Sequence, residues 1–382
     1  VNEQENTPRH SAPGSREQDP RAAETGPRLT RRGWTIALSM LIVLVFGLVG
    51  TLVRVPYVAL GPGPTHDTLA ETKNGPLIAI QGSKTYKTSG ELRLTTVSVQ
   101  DGVTLLGALG LWASGSYALA PRELYFPPGE TDEEVKQENA QQFVDSQDAA
   151  VSAALLHLMK HDYPVSKQIR LTAVVHEVSR KETDRVLDPG DQLLEVNGKK
   201  VSSPQDVRDA LKGTKPNDKI KLRFREDGKK SAKHVRTATV TLGKADDGRS
   251  EGYLGVLAGA RPELPGLSVD IKLADVGGPS AGTMFALAIV DRLTPGELTG
   301  GRHVAGTGEI AADGTVGPIG GISFKLSAAR DDGATVFLVP KENCAEAVKS
   351  APDGMRLVKI GTLDEAVKAL EDLDKGRPVP GC

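Results

Sequence analysis

Aromatic residues are scarce in this chain. They make up 4% of its 382 residues, so the cores must be built from Val, Leu, Ile and Ala. Cysteine is scarcer still: Cys344 and Cys382 are the two present, which excludes a disulfide scaffold and a four-cysteine zinc site and leaves room for at most one intramolecular bridge. Neither sign of charge dominates. The 47 Lys and Arg against 49 Asp and Glu leave a formal net charge of −2, which excludes a strongly basic nucleic-acid binder by global charge, so no nucleic-acid partner is expected. The chain contains no G-x-x-x-x-G-K-[ST] phosphate loop and no H-E-x-x-H, and its 7 histidines are scattered. Neither a nucleotide-driven motor nor a metal site is expected, and no cofactor is implied. The 42 Gly and 24 Pro promise many turns but follow no collagen-like period.

The apolar residues that are present are unevenly spread. Residues 1–33 are polar, charged and proline-containing, with no aromatic. Such a segment buries too little apolar surface to offset its ordering entropy and reads as a disordered tail. From Trp34 to Val53 the chain then carries no charge at all. Roughly 20 apolar residues in a helix span a bilayer core. Arg28, Arg31 and Arg32 precede this run; Arg54 follows it, and the next basic residue is Lys73. The positive-inside rule therefore places the tail in the cytoplasm and everything after residue 54 outside it. Two other readings of the run fit less well. A cleaved signal peptide would have an apolar stretch of about 7–15 residues and a small-residue cleavage site, and TLVRVPYV offers a poor one. A buried core helix would show a polar face, and none is there.

Beyond the anchor, residues 67–160 read as an α/β segment. It holds strands within 76–98, an apolar stretch at 103–119 too short and too broken by Gly and Ser for a second span, and a helix over 130–160 with acids at its start. This segment is either a companion or part of the last domain's sheet, in which case residues 90–98 would pair with strands at 252–273. Residues 167–243 change character: a strand through QIRLTAVVHEV, the turn Asp188-Pro189-Gly190-Asp191, the strand QLLEV, a turn at Asn197-Gly198, a short helix at 204–212 and a final hairpin. This order resembles a PDZ domain, a module that binds extended C-terminal peptides by strand addition. A Gly-Leu-Gly-Phe-type carboxylate loop is not evident before Leu171, where the chain reads YPVSKQIR. A charged linker at 244–251 leads to the last block, 252–373, in which strands and helices alternate.

The chemistry lies in two stretches of that block. ADVGGPSAGTMFALAIVDRL places Ser280 after the turn Gly277-Gly278-Pro279, in the first turn of an apolar helix reaching about Leu293. Unpaired N–H groups at a helix start can stabilise an oxyanion. Taken alone, Ser280 reads more readily as a helix cap. GTGEIAADGTVGPIGGISFKLSAAR places Lys325 in the first turns of a second helix, beside Ile322, Phe324 and Leu326. A lysine buried among such residues loses solvation of its charged form, and a neutral amine can serve as a base toward a serine hydroxyl. Taken alone, it reads more readily as a surface lysine. His303 allows a Ser-His-Asp alternative, although nothing in the sequence fixes its partner, and Cys344 reads as a small core residue.

Together, GGPSAG, TGEI and G-x-V-x-P-I-G-G-x-x-x-K-x-x-A-A resemble the proteolytic domain of Lon proteases, a Ser–Lys dyad family, over about 120 residues. The resemblance implies Ser280 as nucleophile, Lys325 as general base and Thr307 as the hydroxyl that orients the amine, with the Gly278 and Ser280 region supplying oxyanion donors and Pro279 as a supporting residue beside them. Gly277 departs from the family pattern, which often has Asp there. The order of anchor, PDZ-like module and Lon-like block resembles the bacterial YlbL-type, PDZ-containing Lon-like membrane proteases. The expectation is thus an α+β chain: a single transmembrane helix at 34–53, a PDZ-like β-rich module and a Lon-type α/β proteolytic domain. By resemblance it is an ATP-independent serine endopeptidase of protein or peptide substrates, membrane-bound with both domains extracytoplasmic, and a homo-oligomer, hexameric as Lon domains commonly are. The alternative is a catalytically silent scaffold that holds partner C-termini at the membrane.

Overall fold

The computed structural model describes residues 30–72, 75–226, 234–245, 250–273 and 276–382. Residues 1–29 of the tail and residues 246–249 of the linker lie outside them. Helix α1 (Arg31–Leu52) opens on Thr30, whose side chain accepts from Gly33 N–H, and only Gly50 along it is buried. Its 22 residues make it long and apolar enough to cross a membrane.

The chain leaves α1 into β1 (Tyr57–Asp67), the short pair β2 (Glu71–Thr72) and β3 (Gly75–Pro76), then β4 (Ile78–Gln81) and β5 (Glu91–Gln100). Helix α2 (Leu105–Ala113) and β6 (Ala118–Pro121) lead to α3 (Asp132–Lys160). Thr131 and Glu134 form a reciprocal capping box at the start of α3, and Asp132, Glu133 and Glu134 in its first turn complement the helix dipole. The next unit comprises β7 (Arg170–Val178), the single turn α4 (Lys181–Asp184), β8 (Gln192–Val196), β9 (Lys199–Lys200), α5 (Pro204–Leu211), β10 (Lys219–Arg225), β11 (Val235–Thr241) and β12 (Val256–Glu263). The last comprises β13 (Ser268–Ile271), α6 (Gly282–Leu293), β14 (His303–Gly306), β15 (Glu309–Ile310), β16 (Val316–Gly317), α7 (Ile322–Asp331), β17 (Val336–Pro340), α8 (Cys344–Lys349), β18 (Arg356–Ile360) and α9 (Leu363–Asp374).

Two sheets organise these elements. The first runs β18-β17-β14-β5-β1-β6. Its β14, β17 and β18 are mutually parallel, and β5 lies parallel to β14, with Val304 opposite both Leu92 and Val336. Alternate residues feed two cores, as the pleat requires. Val304, Val336 and Leu338 face α3, α6 and α9, while Ala305, Phe337 and Val339 face α7 and α8. Helix α6 is buried from Gly282 through Asp291. A helix with no polar face is stable in water only when covered all round.

The second sheet runs β11-β10-β8-β7-β12, with Leu193, Leu222, Phe224 and Val240 packed under Val207 and Ala210 of α5. Two pairings differ from the sequence expectation. β5 pairs with β14 rather than with strands at 252–273. Strand β12, read as the opening of the last block, pairs with β7, Gly259 opposite Val174. β13 instead pairs with β4, Val269 opposite Ile80. Strand identity is written locally, but the partner is chosen by which faces need covering. The segment before the PDZ-like unit therefore supplies β1, β5 and β6 to the same sheet as the last block, and the PDZ-like unit interrupts that sheet in sequence.

Candidate active site

Ser280 stands just before α6 rather than in its first turn. Ala281 takes the N-cap position, and no side chain caps the helix. The Ser280 hydroxyl is consequently free of capping and meets Lys325 instead: Nζ lies 2.7 Å from Ser280 Oγ. The same nitrogen lies 2.9 Å from Thr307 Oγ1. Lys325 is only 3% exposed and Thr307 is fully buried. With no water to solvate its ammonium, burial pushes the Lys325 amine down from 10.5 to about 7.

Hydrogen-bond valence fixes the orientation of that amine. The Thr307 hydroxyl donates to Ser280 O at 3.1 Å, so toward Lys325 it can only accept. One lysine N–H therefore points at Thr307 Oγ1. In the neutral amine this leaves the lone pair free to receive the proton of Ser280 Oγ–H. The loop after β14 is braced to the serine a second time, because Gly308 N–H donates to Ser280 O at 2.9 Å. Thr283 of α6 returns the tie, its hydroxyl donating to Gly308 O at 3.0 Å. Serine, threonine and lysine are thus held by three segments that lock one another.

The turn before Ser280 has its own constraint. Gly278 adopts φ +80°, a left-handed conformation that favours glycine, and its N–H donates to Asn139 O of α3 at 2.9 Å. That donor is committed to α3. Pro279 has no N–H to give. Ser280 N–H makes no hydrogen bond among the described residues and is a candidate oxyanion donor. A Cβ on Gly277 would come 3.0 Å from Asn139 Cβ. An Asp there would crowd α3, and this close approach accounts for the glycine at the position where the resemblance leads one to expect an acid.

The other candidates lie elsewhere. His303 opens β14 with its side chain exposed, Nδ1 3.9 Å from Glu91 Oε2, and does not face Ser280. Cys344 forms a disulfide with Cys382, which ties the chain's last residue to α8. Its neighbour Asn343 makes a two-way bond with Ile319, in the loop that leads into α7. One group could hold a metal: ligand atoms of His157, His161 and Asp364 lie within 4.8 Å of one another. Lys160 Nζ sits 2.5 Å from Asp364 Oδ2, and the cluster ties α3 to α9.

Two parts of the chain are similar to known protein families. Residues 274–371 match the Lon protease (S16) C-terminal proteolytic domain, and residues 141–237 match the PDZ domain. The chain carries both. Lon protease from Elusimicrobium minutum is 31% identical over 151 residues, 36% of this chain and 18% of that protein. Lon protease from Solibacter usitatus is 39% identical over 110 residues, 28% of this chain and 13% of that one. Lon protease 2 from Bacillus subtilis is 35% identical over 92 residues, 24% and 16%. This chain therefore spans less than a fifth of those relatives. A solved PDZ domain, from the SdrC-like protein of Listeria monocytogenes, aligns at 24% identity and TM-score 0.20 over 22% of this chain and 85% of its own.

In the PDZ domain, a groove of about 400 Å³ lies between α5 and β12, lined by Val207, Arg208 and Leu211 on one side and Gly255 to Ala258 on the other. β12 is the last strand of its sheet, and among the described residues no strand pairs with its edge beside α5. The stretch Tyr253-Leu254-Gly255-Val256 enters this strand, with Gly255 at φ +78°. It reads as the carboxylate-type loop that is missing before Leu171. Here the loop follows β11 instead of preceding β7. Its pattern was legible, but only a search after the hairpin would have found it. Asn139 and Thr95, whose hydroxyl donates to Gly306 O at 3.2 Å, support the site from the segment ahead of the PDZ domain. Nothing in their local sequence signals that role.

Proposed function

We propose that this protein is a membrane-anchored serine endopeptidase that works without ATP, with Ser280 as nucleophile and Lys325 as its base. The observation that carries this is the 2.7 Å contact between Lys325 Nζ and Ser280 Oγ at a buried amine. The amine takes the Ser280 proton as Oγ attacks the peptide carbonyl carbon. The tetrahedral oxyanion is received by Ser280 N–H, within the partial positive charge at the start of α6. The lysine, now an ammonium held by Thr307, passes its proton to the departing amine, and an acyl-enzyme remains. Water then gives a proton to Lys325, attacks the ester carbonyl and releases the acid, and the proton returns to Ser280 Oγ. Absence of a phosphate loop in these 382 residues supports work without nucleotide.

The anchor reading rests on α1 and on the arginines before it, which orient both domains to the extracytoplasmic side. The open edge of β12 and its entering loop suit an extended C-terminal peptide added as a strand. Substrates are then exported or membrane-proximal proteins with accessible tails. Resemblance to Lon domains adds a homo-oligomer, hexameric in that family. Ser280→Ala should abolish cleavage of a fluorogenic peptide and labelling by a fluorophosphonate, with an unchanged circular dichroism spectrum. Turnover by that variant would remove the reading.

A further inference from the structure

Helix α2 has no polar face and almost no cover. Leu105, Leu106, Leu109 and Trp112 are 42%, 43%, 50% and 63% exposed, and only Ala108 is buried. A helix this apolar is not left in water by a stable fold. Its position identifies what covers it. Leu105 N–H donates to Val53 O at 2.9 Å and Val55 N–H donates to Val103 O at 3.0 Å, so α2 begins where α1 ends. Leu106 packs on Gly50, where an added Cβ would fall 2.7 Å from Leu106 Cγ. Gly50 lies three residues before Val53, about 4.5 Å back along the α1 axis. Leu106 therefore sits within the depth that α1 spans.

The polar boundary is equally sharp. No charged residue occurs between Asp101 and Arg122, and these two close the base of the excursion as an ion pair at 3.0 Å. Arg122 N–H donates to Pro56 O, which fixes that ion pair beside the exit of α1. Charge thus stops at the level of residues 54–56, and the apolar helix lies on the other side of it.

We propose that α2 is a second membrane contact: an interfacial helix whose Leu and Trp side chains enter the outer leaflet next to α1. The proposal rests on the reading of α1 as a membrane span. A tryptophan at this depth matches the interfacial preference of its ring. One helix alone would leave the proteolytic domain free to swivel about residues 53–56. A second contact, leading directly into β6, holds the β6 edge of the first sheet toward the bilayer.

The chain has 2 tryptophans, one in each helix, which makes the test direct. The full chain is reconstituted in nanodiscs of phosphatidylcholine with either ordinary or brominated acyl chains. Trp34→Phe leaves Trp112 as the emitter, and Trp112→Phe leaves Trp34. Trp112 should emit to the blue of free tryptophan and lose most of its emission in brominated lipid. If Trp34 is quenched and Trp112 is not, the second contact is wrong and the anchor stands. If neither is quenched, both readings fall. Blue emission from Trp112 without quenching would mean that protein, such as a second copy of this chain, covers α2, and would also overturn the proposal.

Discussion

Replacing Lys325 with Met should make the fold more stable, by an amount that depends on pH in a stated direction. Met keeps the unbranched length of the stem and removes the amine. In the unfolded chain that amine titrates near 10.5, and in the folded one near 7. At about 1.4 kcal/mol per tenfold, holding it in the fold costs roughly 5 kcal/mol at and below pH 7. The variant also forfeits the contacts to Ser280 and Thr307, about 1 kcal/mol each. The net gain is therefore about 3 kcal/mol. Between pH 7 and 10.5 the unfolded chain binds one more proton than the folded one, so the native protein grows more stable as pH rises. The advantage of Met should hold constant below pH 7 and shrink by up to about 1.4 kcal/mol per unit above it. Urea unfolding in detergent, followed by circular dichroism at pH 6, 7 and 9, reads both effects. A Met variant less stable than the native protein at pH 7, or an advantage that grows from pH 7 to 9, would refute the reasoning.

With Lys325 as the proposed base, the same amine should set the pH dependence of turnover. For a short peptide, kcat/KM should rise about tenfold from pH 6 to 8 and then level off, as a base titrating near 7 requires; a rise continuing past pH 9 contradicts a buried amine. Thr307→Val removes the acceptor that orients Lys325 and should lower kcat by roughly 10- to 100-fold with little change in KM, while Thr307→Ser restores most of it; equal losses in both variants would mark a packing role only. Replacing Cys344 and Cys382 together by Ser should cost up to about 4 kcal/mol of stability, because the bridge closes a loop with a sequence separation of 38; unchanged urea unfolding would show the tail to be incidental.

The residues proposed as nucleophile and base were legible only as a pair. GGPSAG alone reads as a helix cap and Lys325 alone as a surface lysine; the order and spacing of the two motifs together single them out. The exact start of α6 was not legible, since one residue separates a serine that caps from one whose hydroxyl is left to meet Lys325. Cys344 and Cys382 could be counted but not paired, because pairing depends on where the C-terminal segment returns: Lys359 N–H donates to Pro380 O, which lays the tail along β18. Sheet partners were the least legible part. β5 and β12 are both recognisable strands, but period-2 patterning reports a strand and its buried face, not the strand beside it. Asn139 is the extreme case. It acts through its backbone carbonyl, so no side-chain pattern could have revealed it.

The interrupted sheet has a consequence for how tail capture and cleavage relate. The PDZ domain leaves the proteolytic domain through α3 and returns to it through β12 and β13. Both routes reach the turn that precedes Ser280. Asn139 of α3 accepts from Gly278 N–H. On the other side the chain runs from the end of β12 at Glu263, through β13 paired with β4, to Gly277 and Ser280. The edge of β12 open to a peptide and the turn holding Ser280 are thus parts of one short stretch of chain, with β13 pinned between them by β4. A PDZ domain attached at one end of the protease would deliver tails by tethering alone. Inserted as it is, the module is entered through the helix whose Asn139 carbonyl accepts from Gly278 N–H and is left through a strand that leads by way of β13 to Ser280, so both of its connections run to the turn proposed to carry the nucleophile.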